Sequence, residues 1–108
     1  MSIKLSSGGS WRGEQGLFGA LADPNRRAVL ALLRRGSRTA GELGAGLPVT
    51  KATLSHHLNV LKSAGLVRAV RRGRERIYYV NTSVLEELGG ALAALFDRRA
   101  LRGAARLA

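Results

Sequence analysis

The stretch that most limits what this chain can become is Thr50 to Val67, TKATLSHHLNVLKSAGLV. Thr50 is placed to cap a helix, with Val49 before it and Leu54 four helical positions in, the spacing of a hydrophobic staple. At the far end Gly65 can take the left-handed C′ conformation, which sets Leu66 against Leu61. Lys51 to Ala64 therefore reads as one capped helix of about four turns. Just upstream, Thr39-Ala40-Gly41-Glu42 has the T-x-x-E spacing of a capping box and opens a helix that Gly44, Gly46 and Pro48 keep short. A short helix, a tight turn and a longer capped helix make a helix-turn-helix.

The flanks extend this pattern. Residues 1–13 are rich in Ser and Gly, show no apolar period and read as a mobile tail that contains Trp11. From Glu14 the pattern is helical, with Leu17, Phe18 and Leu21 on one side. Asp23-Pro24 offers an N-cap and a proline at the first position of a second helix, whose apolar face carries Val29, Leu30, Leu32 and Leu33. After the long helix, Val67 to Arg72 and Glu75 to Asn81 read as two strands around a turn at Gly73. Ser83 and Glu86 repeat the capping-box spacing, opening a last helix with an apolar stripe of Leu85, Leu88, Leu92, Leu95 and Phe96. Residues 14–108 thus form one domain after the tail.

Charge narrows the partners. Eighteen Lys+Arg face seven Asp+Glu, a net charge of +11 over 108 residues. Between Lys51 and Arg76 lie Lys62, Arg68, Arg71, Arg72 and Arg74, with Glu75 the single acid. Concentrated basic charge of this kind favours a polyanion, most often nucleic acid. The chain has no cysteine, which excludes disulfides, thiolate metal sites and cysteine nucleophiles. No phosphate loop, nucleophile–base motif or paired-carboxylate constellation supports an enzyme. No apolar run approaches a membrane span, so the expected setting is the cytoplasm. A chain this small buries only about 60–70% of its unfolded surface, so a subunit partner would help its stability.

The two histidines, His56 and His57, are adjacent, and adjacent residues on a helix do not face each other. Leu54, Leu58 and Leu61 share the core side; His57 flanks that stripe, whereas His56 points away beside Ser55 and Asn59. Their i±4 neighbours are Ala52, Thr53, Val60 and Leu61, none a normal ligand for Zn²⁺ or Ni²⁺, so the pair is no chelate within this helix. The outward face is a set of short polar side chains suited to base edges or phosphates.

These residues carry a resemblance. SHHLNVLKSAGLV (Ser55 to Val67) resembles the S-x-H-L-x-x-L-x-x-A-G-L-V signature of ArsR/SmtB-family winged helix-turn-helix regulators. ALADPNRRAVLALL (Ala20 to Leu33) and GRERIYYV (Gly73 to Val80) are similar to that family's second helix and wing. The resemblance implies an α-α-α-α-ββ-α subunit, mainly helical with one β-hairpin, that forms a homodimer through its first and last helices. The candidate contacts there are Leu17, Phe18, Leu21, Leu85, Leu88, Leu92, Leu95 and Phe96. The chain departs from the family's metal sensors. Gly44 and Gly46 stand where those carry cysteines, and the last helix offers Glu86, Glu87 and Asp97 but no histidine. It is similar to the branch without those cysteines.

The expected function is a dimeric, sequence-specific regulator of double-stranded DNA, a repressor at an inverted-repeat operator with no resident metal. Lys51, Lys62, Arg72, Arg74 and Arg76 are the candidates for phosphate contacts, and Thr53, Ser55, His56 and Asn59 for base edges. Two alternatives stay open: a regulator of the same fold that answers a divalent metal or small molecule, and a sequence-blind module that meets RNA or an acidic protein.

Overall fold

A computed structural model describes residues 10–97. Its elements run α1 (Ser10–Leu21), α2 (Pro24–Arg34), β1 (Arg38–Thr39), α3 (Ala40–Ala45), α4 (Lys51–Ser63), β2 (Val67–Arg72), β3 (Glu75–Val80) and α5 (Thr82–Leu95). The helices and the hairpin stand in the order the sequence implies, with one addition. Arg38 and Thr39 form a short strand that pairs antiparallel with β3, Arg38 opposite Tyr78 and Thr39 opposite Ile77. The sheet is three-stranded, in the order β1-β3-β2. Helix α1 begins at Ser10, inside the stretch read as a tail; residues 1–9 lie outside the described residues.

Local chemistry explains the boundaries. Asp23 accepts the N–H groups of Asn25 (2.7 Å) and Arg26 (3.1 Å), with Pro24 at the first turn where its missing donor costs nothing. The α3 capping box is complete: Thr39 Oγ1 accepts from Glu42 N–H at 3.1 Å, and Glu42 Oε1 accepts from Thr39 N–H at 2.9 Å. Thr39 can be both strand and cap because each role uses extended backbone, here φ −76 and ψ 162. At the start of α4, Thr50 Oγ1 accepts from Thr53 N–H at 3.1 Å.

The end of α4 is a Schellman motif. Gly65 sits at φ +79, its N–H bonds the Lys62 carbonyl (2.9 Å), and the Leu66 N–H reaches back to the Leu61 carbonyl (3.0 Å). Leu61 and Leu66 are both fully buried, which is the apolar contact the motif brings with it. The capping box expected at the last helix does not form. Asn81 is the N-cap of α5 and makes no side-chain cap bond. Its N–H is tied to the Leu66 carbonyl at 2.8 Å and its carbonyl accepts from Leu85 N–H, so the helix opens at Thr82. Ser83 therefore falls inside the first turn, too late to cap it.

The core lies where α1, α2, α3 and α4 meet the sheet, and gathers Leu17, Val29, Leu30, Leu33, Leu43, Leu54, Leu58, Leu61, Leu66, Val67 and Tyr78, with Leu88 from α5. Leu17 and Leu88 are enclosed within the subunit, at 0% and 2% exposure. Both of these interface candidates are thus already used by the subunit's own core. Among the described residues, no helix is long and apolar enough to cross a membrane.

Adding a Cβ at Gly65 meets no heavy atom within 4 Å, so its replacement is opposed by backbone conformation alone. Gly65→Ala is expected to destabilise the fold by about 1–2 kcal/mol, and Gly65→Asn by less, because Asn tolerates the left-handed region. Thermal melts of the three proteins check the order.

Candidate nucleic-acid interface

Helix α4 divides its residues sharply. Leu54, His57, Leu58 and Leu61 face the core, while Lys51, Thr53, Ser55, His56, Asn59 and Lys62 are all exposed. Every residue proposed for this face is thus on the surface, along one helix with no acidic side chain. Thr53 Oγ1 accepts a hydrogen bond from the Thr50 hydroxyl at 3.0 Å, which orients it and leaves its own proton free to donate.

The two histidine rings do different things. Their centroids are 5.9 Å apart and tilted by 48°. His56 is exposed beside Ser55 and Asn59. His57 is buried, with Nδ1 3.2 Å from an Arg26 guanidinium nitrogen and Nε2 3.8 Å from Asp23 Oδ1. His57, placed by the sequence at the edge of the core stripe, thus finds its partners at the start of α2, in Arg26 and the N-cap Asp23.

Strands β2 and β3 pair from Val67↔Val80 to Arg72↔Glu75, joined by a two-residue turn. Gly73 takes φ +64 at the first turn position and Arg74 does not share that sign, the pattern of a type II′ hairpin. Alternation sorts the cations between faces. Arg71 and Arg76 are direct cross-strand partners on the face that carries Val67, Ala69 and Tyr78. Arg68 and Arg72 lie on the other face, Arg72 opposite Glu75. Together with Lys62 from the last turn of α4, Arg71 and Arg76 line an open cleft of about 270 Å³, with Ala69 and Val70 completing its lining.

This cleft sorts the phosphate candidates by face. The structure brings Lys62 and Arg76 together but leaves Arg72 on the opposite face. Arg71 joins Lys62 and Arg76 in the cleft, and the period-2 register running from Val67 through Ala69 was the signal for its face. Like charges directly opposite in a sheet are unfavourable, so the Arg71–Arg76 pair costs stability unless an anion lies between them. Arg74 stands at the tip and Lys51 at the opposite end of α4. Among the described residues, no group of three His, Cys, Asp or Glu side chains is close enough to hold a metal ion.

A helix-turn-helix domain model matches residues 21–70, which spans α2 to the middle of β2. A helix-turn-helix-type transcriptional regulator of Mycobacterium tuberculosis, Rv2034, is 39% identical over 98 residues, covering 91% of each chain. The Bacillus subtilis transcriptional repressor SdpR is 41% identical over 71 residues, 66% of this chain and 79% of its own. The solved structure of an ArsR-like transcriptional regulator from Rhodococcus sp. RHA1 superposes with a TM-score of 0.75 at 32% identity, covering 90% of this chain and 92% of that one.

The chain belongs to the ArsR family.

As an ArsR-family protein it is a DNA-binding transcriptional regulator with a winged helix-turn-helix, not an enzyme, in agreement with the sequence reading. In this ArsR regulator α3 and α4 form the helix-turn-helix, and the β2–β3 hairpin is the wing. The matched helix-turn-helix region includes the exposed polar face of α4.

Two carboxylates support this region. Partial burial pushes the Asp23 carboxyl up, but the Arg26 and Asn25 N–H groups, with the electrostatic pull of neighbouring His57 and Arg26, outweigh it and hold it below its ordinary value. Glu42 is held low by the Thr39 N–H and hydroxyl. A carboxyl whose pKa is lower folded than unfolded stabilises the fold above the ordinary carboxylate range, and that contribution is lost as pH falls through the folded value. Asp23→Asn is accordingly expected to be less stable than the wild type at neutral pH. The gap should close as the pH is taken below about 4, followed by thermal melts across the series.

Proposed function

We propose that this regulator acts as a homodimeric repressor of transcription, blocking an inverted-repeat operator in the cytoplasm without a resident metal. The observation that carries the reading is the joint exposure of two unlike surfaces on one small subunit. One is the polar and basic surface of α4 and the wing. The other is apolar: Phe18 is 47% exposed, Leu92 40%, Leu95 66% and Phe96 76%, all on or at the end of the first and last helices. Large apolar groups gathered on two helices mark a protein contact, and a second copy of the chain offers a self-complementary one. Leu21 and Leu85, both half-buried, border it.

A two-fold partner would present two α4 helices to successive major grooves, about one helical turn apart. Affinity comes mainly from Lys51, Lys62, Arg71, Arg74 and Arg76 against phosphates, and selectivity from Thr53, Ser55, His56 and Asn59 at base edges. The word repressor follows from the similarity to SdpR. The metal-free reading rests on glycine at 44 and 46 and on the absence of cysteine from the chain. A carboxylate-rich metal site would need hard-oxygen ligands and would be weak.

The test is a fluorescence-anisotropy titration with a duplex from upstream of the protein's own gene and a scrambled duplex of the same composition, at two salt concentrations, with and without Ni²⁺ or Zn²⁺. Selective binding unmoved by metal is the expected result. A metal-dependent change in affinity would replace the metal-free reading with a sensor, and equal binding to both duplexes would favour a sequence-blind module. Arg71→Ala should lower the slope of log K against log salt by about 0.9, the contribution of one phosphate contact, and weaken all sequences alike. His56→Ala should instead change which bases are preferred, with the salt slope nearly unaltered.

A further inference from the structure

Away from the DNA face, His57 is the one buried polar side chain among the described residues, 5% exposed on the helix that reads the duplex. A leucine at that place would fill the space without a polar group to satisfy. The histidine instead joins three helices. The Arg26 guanidinium, from α2, donates through Nε to the Ala20 carbonyl at 2.8 Å and through one terminal nitrogen to the Gly19 carbonyl at 3.1 Å. Those are carbonyls of the last turn of α1, where the helix's own ladder runs out; the Gly19 carbonyl also accepts the Ala22 N–H at 3.2 Å. Its other terminal nitrogen meets His57 Nδ1 on α4 at 3.2 Å. A guanidinium only donates, so Nδ1 accepts and the ring proton belongs on Nε2, the nitrogen that faces Asp23 Oδ1.

One side chain therefore spans the gap between α1 and α4. Helix α1 carries exposed Phe18, beside the Gly19 carbonyl that Arg26 holds. Helix α4 carries Ser55, His56 and Asn59, and His56 is the immediate neighbour of the bonded ring. We propose that the Arg26–His57 hydrogen bond is a positioning link that fixes the angle between the subunit-contact helix α1 and the reading helix α4, and so selects the half-site spacing the dimer accepts. This rests on the dimeric reading above. Adding one base pair between half-sites rotates one against the other by about 34°. A stiff joint refuses that rotation, and a joint that tilts accepts it.

The full chain is first used to select paired half-sites from a random-sequence duplex pool. The selected duplex, and versions with one base pair added or removed at its centre, are then titrated by anisotropy against wild type, His57→Leu and His57→Asn. The wild type should prefer one spacing by about tenfold or more, and His57→Leu should narrow that to within about threefold while keeping its affinity for a single half-site. His57→Asn should restore the preference, because its Oδ1 stands where Nδ1 stood and still accepts from Arg26. A bond that merely stabilises the core would lower the melting temperature of His57→Leu and leave the spacing ratio at the wild-type value, which would overturn the proposal. If the leucine variant does not fold, Arg26→Gln carries the same comparison, and an unchanged ratio there overturns it equally. Failure of the wild type to select paired half-sites would sink the dimeric reading, and this inference with it, before any variant is compared.

Discussion

The fold turns on the two peptide groups of Leu66. Its N–H reaches back across left-handed Gly65 to the Leu61 carbonyl and stops α4. Its carbonyl accepts the N–H of Asn81 and fixes where β3 ends and α5 begins. Between those two bonds the whole wing leaves and returns. With the Leu66 side chain fully buried, the segment cannot slide along α4 without exposing it. A shift of β2 by one residue would also turn Val67 outward and bring Arg68 and Arg72 onto the face that packs on the core. The aim of the basic hairpin alongside the reading helix follows from a cap only a few atoms wide.

The surface built on that frame accepts a cost in stability for a gain in binding. Arg71 and Arg76 repel one another across the strands, and Lys62 adds a third cation at the same cleft. In a protein that binds no anion, such an arrangement would be a defect. In the proposed reading the phosphate backbone supplies the missing charge, and released counterions supply much of the driving force. The apolar counterpart is the exposed pair Leu95 and Phe96 with Phe18, groups that a solitary subunit would keep out of water.

Much of this was legible in the sequence because it depends on short-range chemistry. The caps at Asp23, Thr39, Thr50 and Gly65 each follow from one or two residues, and the outward face of α4 follows from helical periodicity. What escaped depends on partners distant in the chain. Strand β1 has two residues, too few for a period, and exists because β3 offers it an edge. The Ser83 box lost to Asn81, whose peptide was already held by Leu66. Leu17 and Leu88 looked like interface residues by spacing, and only the packed core shows that the subunit uses them itself. That Arg71 shares a cleft with Lys62 and Arg76 while Arg72 lies on the other face was missed because charge was counted along the strand without assigning its faces.

Thr39 has a consequence for the nucleic acid as well. As the last rung of β1 and the cap of α3, it joins the sheet that carries the wing to the first helix of the helix-turn-helix without an intervening loop. In the proposed reading, a wing tied this directly to the helix-turn-helix leaves a duplex lying across both to supply part of the adjustment itself. Stiffness in the protein becomes a preference for base steps that bend or twist cheaply, expressed even at positions no side chain touches.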